Sequence, residues 1–350
     1  MKTFQIGDVP VGQGHKPLII AEMSGNHNQS LDRALDIVDA AAKTGVQMIK
    51  LQTYTADTMT LDLDHDEFFI SDPNSLWAGS SLYDLYKVAC TPWEWHAAIF
   101  QRAKDLGLMC ISTPFDESAV DFLEELNAPA YKIAAFENNH IPLLKKVAAT
   151  GKPLIISTGM ASLAELDTLV ETVKSAGCEN LVLLKCTSNY PASPKNSNLA
   201  TIPHMRDMFK CHVGLSDHTG GVGVSVAAVV QGAVVIEKHF TLSRADGGVD
   251  SAFSLEPSEM NQLVIETERA FDSIGSVTYG PTAEEEKSLV FRRSIYICKD
   301  VSENDVLTED NIKIIRPGLG LAPKYYESLL GRRFNKSLSR GDALEWTHVV

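Results

Sequence analysis

The sequence predicts a (β/α)8 TIM-type barrel followed by a small, mostly β module, and three observations carry that prediction. Between residues 17 and 275, eight short apolar runs alternate with helical patterns. The runs are nearly continuous in apolar residues, as expected for parallel strands covered on both faces. Beyond the acidic stretch Pro281–Lys287 the pattern changes to strand-like alternation broken by Gly, Pro and Asn. The expected boundaries are therefore 1–280 for the barrel, 281–289 for a linker and 290–350 for the second module.

Taken in order, Phe4–Val11 reads as a small hairpin closing the barrel bottom. The eight runs are Pro17–Met23, Gln47–Thr53, Leu108–Thr113, Ala130–Ala135, Pro153–Thr158, Asn180–Cys186, His212–Ser216 and Ala233–His239. Leu31–Lys43 follows the first run with Leu31, Ala34, Leu35, Val38 and Ala42 on one stripe, the spacing of an amphipathic helix. Ser162–Ala176 opens with Ser162-Leu163-Ala164-Glu165, a capping-box pattern. Gly45, Gly107, Gly151 and Gly177 stand where helix C-terminal caps belong. After the second run, residues 54–92 form a long insertion with Phe68, Phe69, Trp77, Tyr83 and Tyr86, aromatics that argue for a packed loop. Phe291–Lys299 alternates like a strand and opens the second module. An open doubly wound sheet is the alternative fold. It does not need eight units, and no G-x-G-x-x-G follows the first run.

Composition narrows the function. The chain has 350 residues, with 31 Lys+Arg against 45 Asp+Glu and a formal charge of −14. It lacks the basic footprint of a nucleic-acid binder. No apolar run approaches the ~20 residues of a membrane span, and the N-terminus has no signal-peptide core, so a cytoplasmic location is expected. The six cysteines form no C-x-x-C pair and read as reduced, partly buried thiols.

Catalytic groups of such barrels stand at the C-terminal ends of the strands. Here those ends carry Glu22, Lys50 with Gln52, Thr113, Lys132 leading to Glu137, Ser157, Lys185 leading to Ser188, Ser216 with Asp217 and His218, and Glu237 to His239. Polar groups this deep are costly unless they pair with one another or with a ligand. Lys50, Lys132, Lys185 and Lys238 bring up to four cations to an acidic molecule, and two or three facing inward make an anion site. Lys238, between Glu237 and His239, should point away from both. His218 and His239 end neighbouring strands and suit a divalent ion with open positions, with Glu237 as ligand or supporting partner. Glu22 and Glu137 are acid/base candidates, with Glu22 alternatively a salt-bridge partner for an inward lysine. No G-x-S-x-G elbow supports serine hydrolysis. The residues themselves thus point to a metal-assisted barrel enzyme acting on a small anion.

At these motifs the chain resembles the sialic acid synthase family over essentially its full length. The marks are Ile19–Asn28, Lys50–Thr53, Ser112–Asp116, Ser157–Met160, Gly214–Thr219 and Ile236–Phe240, while Ile315–Leu321 resembles the family's antifreeze-like (SAF) domain. Met23-Ser24-Gly25, Thr53–Met59 and Cys90–His96 resemble its pseudaminic branch. The resemblance implies condensation of phosphoenolpyruvate with an open-chain amino sugar, giving a nine-carbon 2-keto acid and phosphate. In the pseudaminic branch that sugar is 2,4-diacetamido-2,4,6-trideoxy-altrose. It implies that Lys50, Thr113, Lys132, Ser157, Ser188 and Ser216 hold phosphoenolpyruvate, with Gln52 and Tyr190 also binding substrate. His218 and His239 would bind Mn²⁺, or Mg²⁺ or Co²⁺, and Glu22 and Glu137 would serve the sugar and the proton transfers. Asp250 would contact the sugar, and Arg316 would reach the sugar of a partner subunit in a domain-swapped homodimer.

Two positions depart from the family pattern: Ala135 where Ser is frequent, and Ser188 where Asn is frequent. The alternatives are a legionaminic or N-acetylneuraminic acid synthase with the same mechanism, a sugar isomerase, and a non-catalytic sugar-binding protein. The last has no need for both an anion site and a metal.

Overall fold

The computed structural model describes residues 1–73 and 75–350; Asn74, within the insertion, lies outside the described residues. Two compact units emerge, Met1–Gly275 and Ser276–Val350.

The first unit opens with the antiparallel strands β1 (Phe4–Ile6) and β2 (Val9–Val11). A closed parallel barrel follows, made of β3 (Leu18–Glu22), β4 (Met48–Thr53), β5 (Met109–Pro114), β6 (Tyr131–Ile133), β7 (Leu154–Ser157), β8 (Leu181–Cys186), β9 (His212–Asp217) and β10 (Val235–His239). Each strand pairs with its sequence neighbour, and β10 closes the ring on β3. The helices are α1 (Leu31–Thr44), α2 (Ala56–Met59), α3 (Leu82–Ala89), α4 (Trp93–Asp105), α5 (Glu117–Glu125), α6 (Ile141–Ala148), α7 (Leu163–Ser175), α8 (Thr201–Phe209), α9 (Gly223–Val230) and α10 (Pro257–Ile274). α1 begins where Ser30 Oγ accepts from the Arg33 amide and ends at Gly45, whose φ of 89° is open to glycine. α7 begins with the expected capping box between Ser162 and Glu165.

Strand parity sorts the core into two layers. Ile19, Ala21, Ile49, Leu51, Leu183, Leu215 and Ile236 point outward and pack under the helices. Ile20, Met48, Ile111, Ala130, Ile155, Val182, Leu184 and Val235 point inward and fill the lower barrel. Phe4, Ile6 and Val11 of the hairpin join that inner cluster, so the hairpin plugs the bottom. Period-two alternation then delivers the next inward residue of each strand to the open top.

The insertion holds α2 and α3 and is fastened at both roots by buried histidines. His96 Nε2 lies 2.9 Å from Thr53 Oγ1, and His27 Nε2 lies 3.2 Å from Thr91 Oγ1. Burial pushes both imidazoles down to about 4, which keeps them neutral at physiological pH. Gln29 Nε2 donates to the carbonyls of Val88 and Cys90, both at 2.8 Å. Gly25 is required at this crossing, because a Cβ there would meet Val249 and the Ala89 carbonyl.

The second unit pairs β11 (Ser294–Ile297) with β12 (Ile312–Ile315) and carries one short helix, α11 (Tyr326–Leu329). Ile295, Ile297, Leu307, Ile312, Leu329, Phe334 and Leu344 form its core. The acidic segment read as a linker contains a 3-10 turn over Glu285–Phe291, because Glu285 and Thr282 bond each other reciprocally at its start.

Candidate active site

The inward residues at the strand ends converge on the barrel mouth. Lys50 of β4 is buried, ion-paired with Glu22 of β3, and donates to Thr113 Oγ1 of β5 at 3.2 Å. Lys132 of β6 donates to Ser157 Oγ of β7 at 2.7 Å and to the Ile133 carbonyl at 3.0 Å. Glu237 of β10 sits between the two lysines, 3.8 Å from Lys50 Nζ and 3.6 Å from Lys132 Nζ, and accepts from Ser216 Oγ at 3.0 Å. Glu237 is therefore engaged by cations rather than by His239.

Two of the four lysines considered face the mouth. Lys185 and Lys238 lie on the opposite strand face. Lys185 donates to the Cys186 carbonyl and Thr187 Oγ1, and Lys238 to Asp217, as the alternation expected for Lys238 requires.

Burial and mutual contact set the charge states. Burial opposes the Lys50 ammonium, but Glu22 and Glu237 outweigh it and hold its pKa above the usual value. Burial dominates at Lys132 and lowers its pKa. Burial raises Glu22 to about 7 against the pull of Lys50. Glu137 follows β6 in a 3-10 turn, Ala135–Glu137; its buried Oε2 has no hydrogen-bond partner, and burial lifts it to about 7. A carboxyl near neutrality exchanges protons readily at working pH.

His218 and His239 stand side by side, with ring centroids 5.4 Å apart. His218 Nδ1 donates to the Thr187 carbonyl at 3.0 Å, which leaves Nε2 as the nitrogen that could face a metal. His239 Nδ1 is buried without a hydrogen-bond partner, and Asp250 Oδ2 lies 3.9 Å from it. Among the described residues, no three His, Cys, Asp or Glu side chains are grouped to hold a metal by themselves. The pair fits an ion that takes its other positions from water or substrate oxygens.

Aromatic residues wall this corner. The Tyr190 ring lies 4.5 Å from His218, 5.2 Å from Phe253 and 6.1 Å from Trp77. Trp77 Nε1 donates to the Val249 carbonyl at 2.9 Å, so the insertion reaches the loop that carries Asp250. Ser24 Oγ donates to Asp250 from the other side. Trp77, Leu85, Val88, Gly25 and Val249 also border a cavity of about 680 Å³ beside the mouth. Phe68 packs on His65 and Phe69 bridges to Ser81, both within the insertion.

Gln52 is half-buried on the inward face beyond Lys50. Ser188 Oγ is 3.8 Å from Cys186 Sγ, and a Cβ on Gly159 would collide with Ser188 and come within 2.9 Å of the Ala135 methyl. The two departures from the family pattern thus meet at one tight spot. Arg316 follows β12 in the second unit and is exposed. Sequence reasoning passed over Cys186, Phe253 and Ser24. The strand alternation that singled out Lys50 marks Cys186 as inward, whereas nothing local marks Phe253.

The profile of the NeuB family matches residues 37–279, and that of the SAF domain matches 292–350. A pseudaminic acid synthase of Campylobacter jejuni is 42% identical over 342 residues, covering 98% of each chain. An N,N'-diacetyllegionaminic acid synthase of Legionella pneumophila is 37% identical over 350 residues, covering 98% of this chain and 97% of its own. Among solved structures, the spore coat polysaccharide biosynthesis protein SpsE of Bacillus subtilis superposes with a TM-score of 0.68 at 30% identity, covering 100% and 99% of the two chains.

Proposed function

The chain belongs to the NeuB family, and from that premise we propose that it condenses phosphoenolpyruvate with 2,4-diacetamido-2,4,6-trideoxy-altrose to give pseudaminic acid and phosphate. The observation that carries this reading is the pairing of two buried lysines with two adjacent imidazoles in one barrel mouth. Lys50 and Lys132 would receive the phosphate and carboxylate, with Thr113, Ser157, Ser188 and Ser216 completing the anion site. Glu22 and Glu237 now neutralise those lysines and would yield to the incoming anion.

His218 and His239 would hold a divalent ion, with Mn²⁺ favoured and Mg²⁺ or Co²⁺ as alternatives. When bound, that ion supplies polarisation of the sugar aldehyde. Phosphoenolpyruvate C3 bonds to the aldehyde carbon, water adds at C2, and the C2–O bond to phosphate breaks. The lysines neutralise charge on phosphate and carboxylate throughout. Glu137 and Glu22, held near neutrality, would exchange the protons of the alkoxide and of the attacking water. Asp250, Gln52 and Tyr190 would seat the sugar. Trp77 is favoured over Phe68 and Phe69 as the apolar cover for its methyl groups, because it alone of the three contacts the mouth aromatics. Trp77→Ala should narrow the preference for the 6-deoxy sugar over N-acetylmannosamine by about 10-fold in kcat/KM, near the 1–3 kcal/mol of a lost apolar contact. An unchanged preference removes Trp77 from selectivity.

The division of labour proposed here assigns residues 1–280 to the barrel, 281–289 to a linker and 290–350 to the SAF domain; the two compact units part at Gly275 and Ser276. A domain-swapped homodimer would bring Arg316 to the partner's sugar. The exposed Val277, Tyr279, Phe291 and Leu319 supply apolar surface for such an assembly. Arg316→Ala should raise the KM for sugar about 10-fold, leaving the KM for phosphoenolpyruvate unchanged. Wild-type sugar kinetics in that variant remove the capping role. Dependence on phosphoenolpyruvate supports a cytoplasmic location.

Phosphate release with Mn²⁺ tests the whole reading, using the altro 2,4-diacetamido sugar, its manno isomer and N-acetylmannosamine in parallel. Fastest release with the altro sugar is expected. A preference for the manno isomer keeps the mechanism and moves the enzyme toward its legionaminic relative. No release with any sugar, in folded and metal-loaded protein, overturns the synthase reading.

A further inference from the structure

β9 and β10 are joined twice, on opposite faces. Inward, Ser216 bonds Glu237 at the anion site. Outward, Lys238 Nζ donates to Asp217 Oδ2 at 2.8 Å and to the Thr219 carbonyl at 2.6 Å. Asp217 accepts three further hydrogen bonds, from Thr219 N at 2.8 Å, Thr219 Oγ1 at 2.7 Å and Ser225 Oγ of α9 at 2.7 Å. The two charged side chains are 0% and 1% exposed, in the apolar layer where Leu215 and Ile236 pack beneath the helices.

A buried ion pair in such a layer is a poor source of stability. Desolvation consumes most of the Coulomb attraction, and apolar residues of similar volume often do as well or better. The other deeply buried pairs among the described residues, Lys50 with Glu22 and Glu237 and Lys132 with Glu237, line the mouth and have a ligand to meet. The Lys238–Asp217 pair faces away from it.

Its position supplies the explanation. The ladder between the two strands aligns Ser216 with Glu237 and Asp217 with Lys238, and ends there. The next residue on each strand is His218 and His239. Both imidazoles therefore stand one residue beyond the last pair of the β9–β10 ladder; His239 is still registered with Glu22 on β3, so what that ladder leaves open is the approach of His218 to it. A one-residue slip would turn each outward charge toward the mouth and each inward residue toward the helices. Asp217 also accepts from Thr219, just after His218, and from Ser225 of α9, so it ties the residues on both sides of His218 to that helix.

We infer that Asp217 and Lys238 are positioning residues for the imidazole pair: their outward ion pair locks the register and approach of the ends of β9 and β10, and so sets the spacing at which His218 and His239 meet a divalent cation. This rests on the reading above that the two histidines hold such an ion. The residues act through the backbone and touch no substrate.

The double variant Asp217→Asn/Lys238→Met tests it, because both charges leave together and no unpaired charge remains to unfold the barrel. The metal-free crystal structure should show the ring separation displaced from 5.4 Å. The Kd for Mn²⁺, read by electron paramagnetic resonance of free Mn²⁺, should rise about 10-fold or more, the usual effect of removing support from a metal ligand. kcat should fall by a larger factor than the KM for phosphoenolpyruvate rises, because Lys50 and Lys132 stand on β4 and β6 while only Ser216 of the anion site lies on the loosened strands. Val173→Ala, a cavity in the α7 layer remote from β9 and β10, is the control and should keep the wild-type Kd. An unchanged ring separation with an unchanged Kd overturns the inference, as does an equal rise in Kd in the control. If the double variant does not fold, Lys238→Arg displaces the cation while keeping its charge and is read against the same two outcomes. Failure of wild-type protein to bind Mn²⁺ would defeat the metal reading instead, and the ring separation in the variant would still decide the role of the pair.

Discussion

The lower and upper layers of the barrel interior are made by the same strands, on the same face, two residues apart, yet they do opposite work. Ile20, Met48, Ile155 and Val235 fill the lower layer, and Glu22, Lys50, Ser157 and Glu237 follow them in the upper one. The lower layer gains by excluding water from carbon. The upper layer holds ions that desolvation opposes, so it persists because they satisfy one another until a ligand arrives. On the function proposed above, a single strand thus gives one inward position to stability and the next to chemistry. Substitutions at the two levels should separate cleanly.

The largest separation is expected at Lys132. Lys132→Met should cut kcat/KM for phosphate release by about 10³-fold or more, the scale of losing a preorganised charge at the reacting group. The melting temperature should hardly move, since Glu237 keeps Lys50 and Ser216 as partners. Retained turnover would break the distinction between the layers. Next comes the lower layer itself, where Ile155→Ala should cost about 2–5 kcal/mol in denaturant unfolding. The folded fraction should keep kcat within about 2-fold, and a collapse of kcat at full folding would show the layers to be coupled.

A smaller effect concerns proton balance at the rim. The folded pKa of Glu137, about 7, lies above its ordinary 4.5. Between those values the folded protein binds more protons than the unfolded chain, so stability falls as pH rises through that window. The contribution is complete below about 4.5, is lost above about 7, and amounts to roughly 3 to 4 kcal/mol at 1.36 kcal/mol per pH unit. Glu137→Gln should flatten that part of the stability curve relative to wild type in urea titrations from pH 4.5 to 7.5. Parallel curves would mean the carboxyl is hydrated as in the unfolded chain.

Much of this was legible beforehand because parallel strands write their faces into alternate letters. The eight runs, the hairpin plug, the inward Lys50 and Lys132, and the outward Lys238 all follow from apolar continuity and period two. The branch-point reading of Glu22 as a lysine partner also corresponds to its ion pair with Lys50. What stayed hidden depends on contacts between distant segments. Trp77 meets the Val249 carbonyl across 172 positions of chain, and Phe253 joins His239 through a loop with no periodicity. The 3-10 turn inside the acidic stretch near residue 285 was also hidden, because charge says that a segment is solvated and not how its backbone turns.

The two histidine anchors at the roots of the insertion have a consequence for how such enzymes diversify. Thr53 and Thr91 are held by His96 and His27 whatever lies between them. Closing a longer or shorter loop across fixed roots changes its entropy only logarithmically with length. The intervening stretch is therefore a cassette that mutation can lengthen, shorten or rewrite while the barrel keeps its shape. On the proposed role of Trp77, novelty in sugar preference would accumulate there first, with the reaction centre inherited intact.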